Sequence, residues 1–327
     1  MELADQTRGR WLGILVNFGI NEKILNGKHH PCPLCGGRDR FRFDNKSGDG
    51  NYFCSGCGAG QGIKLIMRYT GMDFKTCAES IRNIIGGVSV QETKAIDYEK
   101  NAEKLKKIHT GLKKIRDGDP VSLYLSSRGL YPWQQDSLYY HPSLPCWDGD
   151  NKLGYFPAMV AAIRTPTGEL ATYQITYLQD GNKAKVPVPR KNMPVAKHID
   201  GGAVRLFAPC ELPSVERGVA VEPTMTLGIA EGIETALAVH RLSGSMPVWA
   251  AVSANGMATV EIPENVKAVM IYADSDANFT GQSAAYTLAK RLSNKGIKAK
   301  VSLLIDREPF TDPGIAYDFN DFLKDNK

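Results

Sequence analysis

Apolar positions change period several times along this chain. Residues near 5–18 repeat at helical spacing and predict an amphipathic helix. Its apolar run, Trp11 to Ile20, is short and interrupted by Asn17. That reads as a helix packed on a neighbouring element, not as a membrane span. Residues 28–60 lose the helical period. A stripe at Ile63, Ile66, Met67 and Tyr69 restores it, and a second short helix is expected over 74–85 after the Thr70-Gly71-Met72 turn. Between 118 and 215, a short helix and turn at 122–130 precede strand-like runs at 155–164, 170–178 and 204–207. From Leu227 onward, strands (227–230, 248–252, 268–273, 298–304) alternate with helices (232–243, 280–294). That alternation implies a parallel sheet covered on its faces.

These patterns divide 327 residues into four stretches. They are a small β unit with flanking helices (1–90), a basic linker and helix (91–117), a basic mixed α+β segment (118–215) and an α/β domain (216–327). The expected fold class is therefore α/β, with a small β ribbon in front. An apolar content of 43% supports a conventional core. The net charge of +5 permits nucleic acid as a partner without requiring it. The basic residues cluster in 91–117 and in the connections that hold Lys183, Lys185, Arg190, Lys191 and Lys197. No G-x-x-x-x-G-K-[ST] loop occurs, which argues against an NTP-driven motor.

Four of the seven cysteines form two matched knuckles, Cys32-Pro-Leu-Cys35 and Cys54-Ser-Gly-Cys57, eighteen residues apart. Each knuckle brings two thiolates to one ion without backbone strain. Together they predict one structural Zn²⁺ in a ribbon. His29 and His30 stand close by, but four sulfurs already close a tetrahedral site. The remaining Cys77, Cys146 and Cys210 are scattered and fit free thiols in a reducing cytosol. After the first knuckle, Arg38-Asp39-Arg40-Phe41-Arg42-Phe43 alternates. On a strand this places Arg38, Arg40 and Arg42 on one face and the two phenylalanines on the other. The arginine face could contact nucleic acid; the phenylalanines are more useful as core.

A second constellation is acidic. Glu231 follows the strand 227–230, and Asp274 and Asp276 follow the strand 268–273. Open α/β sheets place their sites at the carboxyl ends of their strands, so both groups should meet at one rim. Two carboxylates as close as Asp-x-Asp repel one another unless a cation lies between them, and Mg²⁺ suits such a set. Asp318-Phe319-Asn320-Asp321 is a third acidic group that could complete the site. The bland alternative is a set of helix-capping acids. Glu234, one turn beyond Glu231, is expected to support the site from behind.

Leu227-Gly228-Ile229-Ala230-Glu231-Gly232-Ile233-Glu234-Thr235-Ala236 resembles the glutamate motif of the Toprim domain. Tyr272-Ala273-Asp274-Ser275-Asp276 resembles its Asp-x-Asp motif, and Asp318-Phe319-Asn320-Asp321 its trailing acidic motif in phage-type members. The ribbon is similar to that of phage and plasmid primase–helicases. The order of parts is that of a DnaG-type primase, without the helicase portion of satellite-phage relatives.

The resemblance implies synthesis of RNA primers on single-stranded DNA from ribonucleoside triphosphates. It further implies Mg²⁺ (or Mn²⁺) on Asp274 and Asp276 with Asp318 or Asp321, and Glu231 as a metal ligand or general base. Lys183, Lys185, Arg190 and Lys191, with Arg164 and Arg205, become candidates for gripping template or triphosphate. Arg38, Arg40 and Arg42 would help read the initiation site. A separate replicative helicase, a phage, plasmid or mobile-element setting and the bacterial host cytosol are expected with it. The acids alone leave open a Toprim nuclease or topoisomerase-related enzyme, and a non-catalytic DNA-binding factor that recruits a helicase.

Overall fold

The computed structural model describes residues 2–45, 47–88, 97–130, 137–148, 151–216, 219–273 and 279–303. It divides into two compact units, Met1–Asp97 and Tyr98–Lys327.

In the first unit the helix expected over 5–18 is two helices, α1 (Leu3–Thr7) and α2 (Trp11–Asn17). Gly9 breaks them apart at a φ of 74°, and its N–H reaches the Gly48 carbonyl at 2.8 Å. The ribbon is an antiparallel sheet of β1 (His30–Cys32), β2 (Gly36–Phe43), β3 (Tyr52–Cys54) and β4 (Gly58–Gly60), hydrogen-bonded in that order. α3 (Gly62–Thr70) and α4 (Phe74–Ile84) complete the unit, and Asp73 caps α4 by accepting from the Thr76 N–H at 2.7 Å. The β2 alternation is realised: Phe41 and Phe43 are buried with Trp11, Ile14, Leu15, Tyr52, Leu65 and Ile66. Those two rings are therefore core.

The second unit opens with α5 (Tyr98–His109), within the stretch expected to be a linker running into a basic helix. Leu105 and Ile108 are buried in a core with Tyr173, Ile175 and Tyr177, and His109 Nδ1 lies 2.9 Å from the Tyr173 hydroxyl. The helix thus belongs to this unit. Its basic residues occupy the outer face while the two spaced aliphatics hold the inner one. α6 (Pro120–Ser127) follows, capped by Asp119 with proline in its first turn.

Next comes a meander of β5 (Leu138–Asp148), β6 (Asn151–Arg164), β7 (Leu170–Gln179), β8 (Asn182–Lys183) and β9 (Arg190–Asn192). β10 (Ala203–Val204) and β11 (Cys210–Glu216) lead into the long β12 (Val219–Ala230). The remaining order is α7 (Ile233–Leu242), β13 (Val248–Ala250), α8 (Ala254–Thr259), β14 (Ala268–Ala273), α9 (Thr280–Asn294) and β15 (Lys298–Leu303).

Among the described residues these strands make one sheet. β13, β12, β14 and β15 run parallel, in that spatial order. β10 pairs antiparallel with β13 on one side and with β6 on the other, and so joins the parallel block to the meander. α6 and α7 cover one face, with Tyr124, Ile163, Leu178, Val204, Ala230 and Leu237 in their core. α8 and α9 cover the opposite face over Ile229, Trp249 and Ile271, and α5 continues that layer over the meander. No described helix is long and apolar enough to cross a membrane.

Candidate active site and zinc centre

The four ribbon cysteines converge. Their Sγ atoms all lie within 4.8 Å of one another, with Cys32 to Cys57 and Cys35 to Cys54 each at 3.6 Å. Zn–S bonds of about 2.3 Å in a tetrahedron put sulfurs about 3.8 Å apart, so the donor set fits one zinc. Each knuckle is closed by an amide N–H to its first sulfur, from Leu34 to Cys32 Sγ at 3.4 Å and from Gly56 to Cys54 Sγ at 3.3 Å. Burial raises the Cys54 thiol, but the amides of Gly56 and Cys57 outweigh that and hold it at about 7. Gly36 and Gly58 leave the knuckles at φ of 71° and 86°, where a side chain would be strained.

On the outer face of the ribbon, Arg38 and Arg40 are exposed, and the Arg40 side chain lies across Gly37 and Gly56. Arg42 is half-buried and pairs with Asp44 at 3.3 Å. Phe53 stands opposite Arg42 in the β2–β3 register and is 46% exposed. It is the aromatic presented beside the arginines, a place the Arg-Phe alternation alone assigned to no ring.

In the second unit, β12 and β14 are adjacent parallel strands with Ala230 opposite Tyr272. Glu231 therefore leaves the sheet at the same edge as Ala273, the residue that precedes Asp274. Asp274, Asp276, Asp318 and Asp321 lie outside the described residues. Beside Glu231 is a cavity of about 190 Å³ whose lining includes Arg128, Gln174, Lys183, Arg190, Glu234 and Val252. Val252 holds a φ of 59°, a left-handed conformation costly for a β-branched residue and typical of functional edges.

The meander supplies the cations through its register. Arg190 on β9 sits opposite Thr176, and Lys183 on β8 opposite Leu178, both on the α6–α7 face. Lys191, one residue along, sits opposite Ile175 and turns to the other face, with its amine 5.2 Å from the Tyr177 ring centre. Lys185 is exposed after β8 and does not line the cavity. Arg164 and Arg205 also stay local. Arg164 donates to the Gly168 carbonyl, and Arg205 donates to Thr165 and Pro166 while stacking on Trp249.

In the wall of the cavity Glu234 is buried, 5% exposed. Its Oε1 accepts from the Tyr124 hydroxyl at 2.7 Å, pairs with Arg190 and lies 3.6 Å from the Lys183 amine. Burial pushes the carboxyl up, but Arg190, Lys183 and the Tyr124 hydroxyl overcome it and hold the group at about 2. Burial, ahead of the Glu234 charge, pushes the Tyr124 phenol far up, so it stays a donor. Lys183 is lowered by burial despite the carboxylate. Arg128 and Gln174 were not among the residues singled out from sequence. An arginine after a short helix and a glutamine inside an apolar strand carry no local pattern that marks them.

Three family models match the chain. The zinc-binding domain of primase-helicase covers residues 27–63, and a Toprim domain covers 226–326. A domain of unknown function (DUF7146) covers 99–206, the segment that supplies Arg128, Gln174, Lys183 and Arg190. Solved structures similar to the chain include a DnaG primase catalytic domain bound to ssDNA, at 14% identity and TM-score 0.42, covering 70% of this chain and 76% of that one. The primase fragment of the bacteriophage T7 primase-helicase is 14% identical, with TM-score 0.36 and coverages of 91% and 94%. The RNA polymerase domain of Mycobacterium tuberculosis DnaG is 14% identical, with TM-score 0.30 and coverages of 65% and 76%. The domain assignment rests on the family models. A primase-type zinc ribbon and a Toprim domain thus stand in one chain, the pairing of a DNA primase.

Proposed function

We propose that this enzyme synthesises short RNA primers on single-stranded DNA by metal-dependent nucleotidyl transfer at the sheet edge beside Glu231. The observation that carries the reading is the shared edge of β12 and β14. It delivers Glu231 and the chain leading to Asp274 to one rim, next to a cavity lined by Lys183 and Arg190. Mg²⁺ would be held there by Asp274 and Asp276, with Asp318 or Asp321 and with Glu231. Bound there, it would neutralise phosphate charge and make the attacking 3′-hydroxyl more acidic.

The chain's own residues account for the rest. Arg190 and Lys183, each one-third exposed, offer donors to the triphosphate of the incoming ribonucleotide. Glu231, if not spent on the metal, accepts the proton of the 3′-hydroxyl. Positioning and charge compensation are most of what phosphoryl-group chemistry requires. Lys185 and Lys191, outside the cavity, are proposed to meet template instead. In the ribbon, zinc on Cys32, Cys35, Cys54 and Cys57 fixes the strands that present Arg38, Arg40, Arg42 and Phe53 to template DNA. A ribbon of the primase-helicase kind makes a replicative helicase the expected partner, in replication of a phage, plasmid or other mobile element within a bacterial cytosol.

The test is incubation with single-stranded phage DNA, Mg²⁺ and labelled ribonucleotides. Short labelled products are expected, and Asp274→Ala should abolish them while DNA binding stays within about threefold. Shortened input DNA without labelled product would instead mean a nuclease, and binding with neither would mean a recruiting factor.

A further inference from the structure

One buried carboxylate in the second unit has no part in the chemistry proposed above. Glu234 lies on α7, in the turn after Glu231, and contacts three groups brought from elsewhere in the chain. Its Oε1 accepts the Tyr124 hydroxyl from α6 at 2.7 Å, pairs with Arg190 from β9 and stands 3.6 Å from the Lys183 amine on β8. A lone buried carboxylate between two cations is costly unless each member has a partner. Here the partners are asymmetric. Glu234 keeps 6% of its side chain exposed, whereas Arg190 and Lys183 keep 33% each and line the cavity with Glu231. Each cation is thus tethered from behind on one oxygen and open in front.

We propose that the buried Tyr124–Glu234 pair is the positioning device of the nucleotide site, holding Arg190 and Lys183 as a preset pair of donors for the phosphates of the incoming nucleoside triphosphate. This rests on the reading of the cavity as a nucleotide site. Lys183 and Arg190 are long, rotamer-rich side chains on two-residue and three-residue strands, and a free pair at that spacing would separate by mutual repulsion. One shared anion holds both in place before substrate arrives, so less ordering remains to be done on binding. A single carboxylate against two cations also leaves positive charge facing the cavity. The Tyr124 hydroxyl occupies a lone pair of the same oxygen and fixes the carboxylate, while the Arg128 guanidinium lies 5.1 Å from the Tyr124 ring centre. Tyr124 and Glu234 are positioning residues that act through Arg190 and Lys183: Tyr124 lies off the cavity lining, and Glu234 reaches it with its Oε1 already engaged by Tyr124, Arg190 and Lys183.

The test uses the full zinc-loaded chain and the probe α,β-methylene-GTP with Mg²⁺, which binds without transfer. Tyr124→Phe keeps the buried ring and removes only the hydroxyl. It should weaken probe affinity about 3–10-fold, raise KM for the nucleotide similarly and change kcat less than twofold. Glu234→Gln should weaken the probe more than tenfold. Because that variant risks misfolding, Tyr124→Phe combined with Arg190→Lys is the second measurement. The two should be non-additive on probe affinity, whereas Tyr124→Phe combined with Val160→Ala, in the core under α5 on the opposite face of the sheet, should be additive. Folded Tyr124→Phe with unchanged probe affinity, or additivity with Arg190→Lys, overturns the proposal even if Asp274→Ala still abolishes priming. If Arg190→Ala also leaves probe affinity unchanged, the cavity is not the nucleotide site and the underlying reading falls with it.

Discussion

Lys191 and Arg190 are neighbours in sequence and alike in charge, yet they serve opposite faces of the sheet. Period-two alternation on β9 turns one toward Glu234 and the other over Tyr177. Arg190→Ala is therefore expected to weaken nucleotide binding more than tenfold, and Lys191→Ala less than twofold, in equilibrium titration. Charge count alone could not separate them, because a three-residue strand inside a basic connection leaves no readable period. Glu234 makes a second prediction at this scale. Its carboxyl falls from an ordinary value of 4.5 to about 2 on folding. The stabilisation it gives is then present above about pH 4.5 and lost as the pH falls toward 2. Wild type should lose about 2 kcal/mol more than Glu234→Gln between pH 5 and pH 3 in urea unfolding. Equal losses would mean that the carboxylate is not held by its two cations. From sequence, Glu234 was legible only as a companion of Glu231. Tyr124, inside an apolar helix, carried no sign that its hydroxyl meets an acid far along the chain.

Elements with a strong period were readable, and those shaped by a tertiary contact were not. The core strands of the parallel block, and α3, α4, α7 and α9, fall close to where hydrophobic spacing puts them. β5 was not foreseen, since Pro142 and Pro145 argue against a strand. It exists as a strand paired with β6, with Tyr140 also bridged to Lys113, and a register shift between His141 and Leu144 absorbs the first proline. The break between α1 and α2 was likewise hidden, because it depends on the Gly9–Gly48 contact.

The ribbon has a tight joint of the same kind. Gly62 opens α3 directly against the Trp11 ring, and a Cβ there would overlap the ring. Trp11 is 4% exposed and has little room to move. Gly62→Ala should cost about 1–3 kcal/mol despite its better helix propensity, measured by denaturation of the zinc-loaded protein. Cys35→Ser should lower bound zinc below one equivalent by metal analysis and expose Phe41 and Tyr52 to solvent. Retained zinc would remove Cys35 from the ligand set.

For the second unit as a whole, the useful fact is that the mixed segment and the parallel block share one sheet through β10. That junction was illegible, since β10 is two residues long and both of its pairings span long stretches of chain. It matters because cations from the meander can then reach an acid at the end of β12. The sequence motifs singled out Glu231, and the register of the joined sheet brings Lys183 and Arg190 to the cavity that it lines. The central claim is that Glu231 and the Asp274–Asp276 pair serve one divalent-ion site at the rim of β12 and β14. Iron-directed backbone cleavage addresses it directly: Fe²⁺ replaces Mg²⁺, ascorbate and peroxide generate hydroxyl radicals at the bound ion, and the cut sites are mapped. The account predicts paired cuts, one near Glu231 and one near Asp274, both suppressed by excess Mg²⁺ and both lost in Asp274→Ala. Cuts at only one of the two positions, or cuts that Mg²⁺ does not suppress, would contradict it.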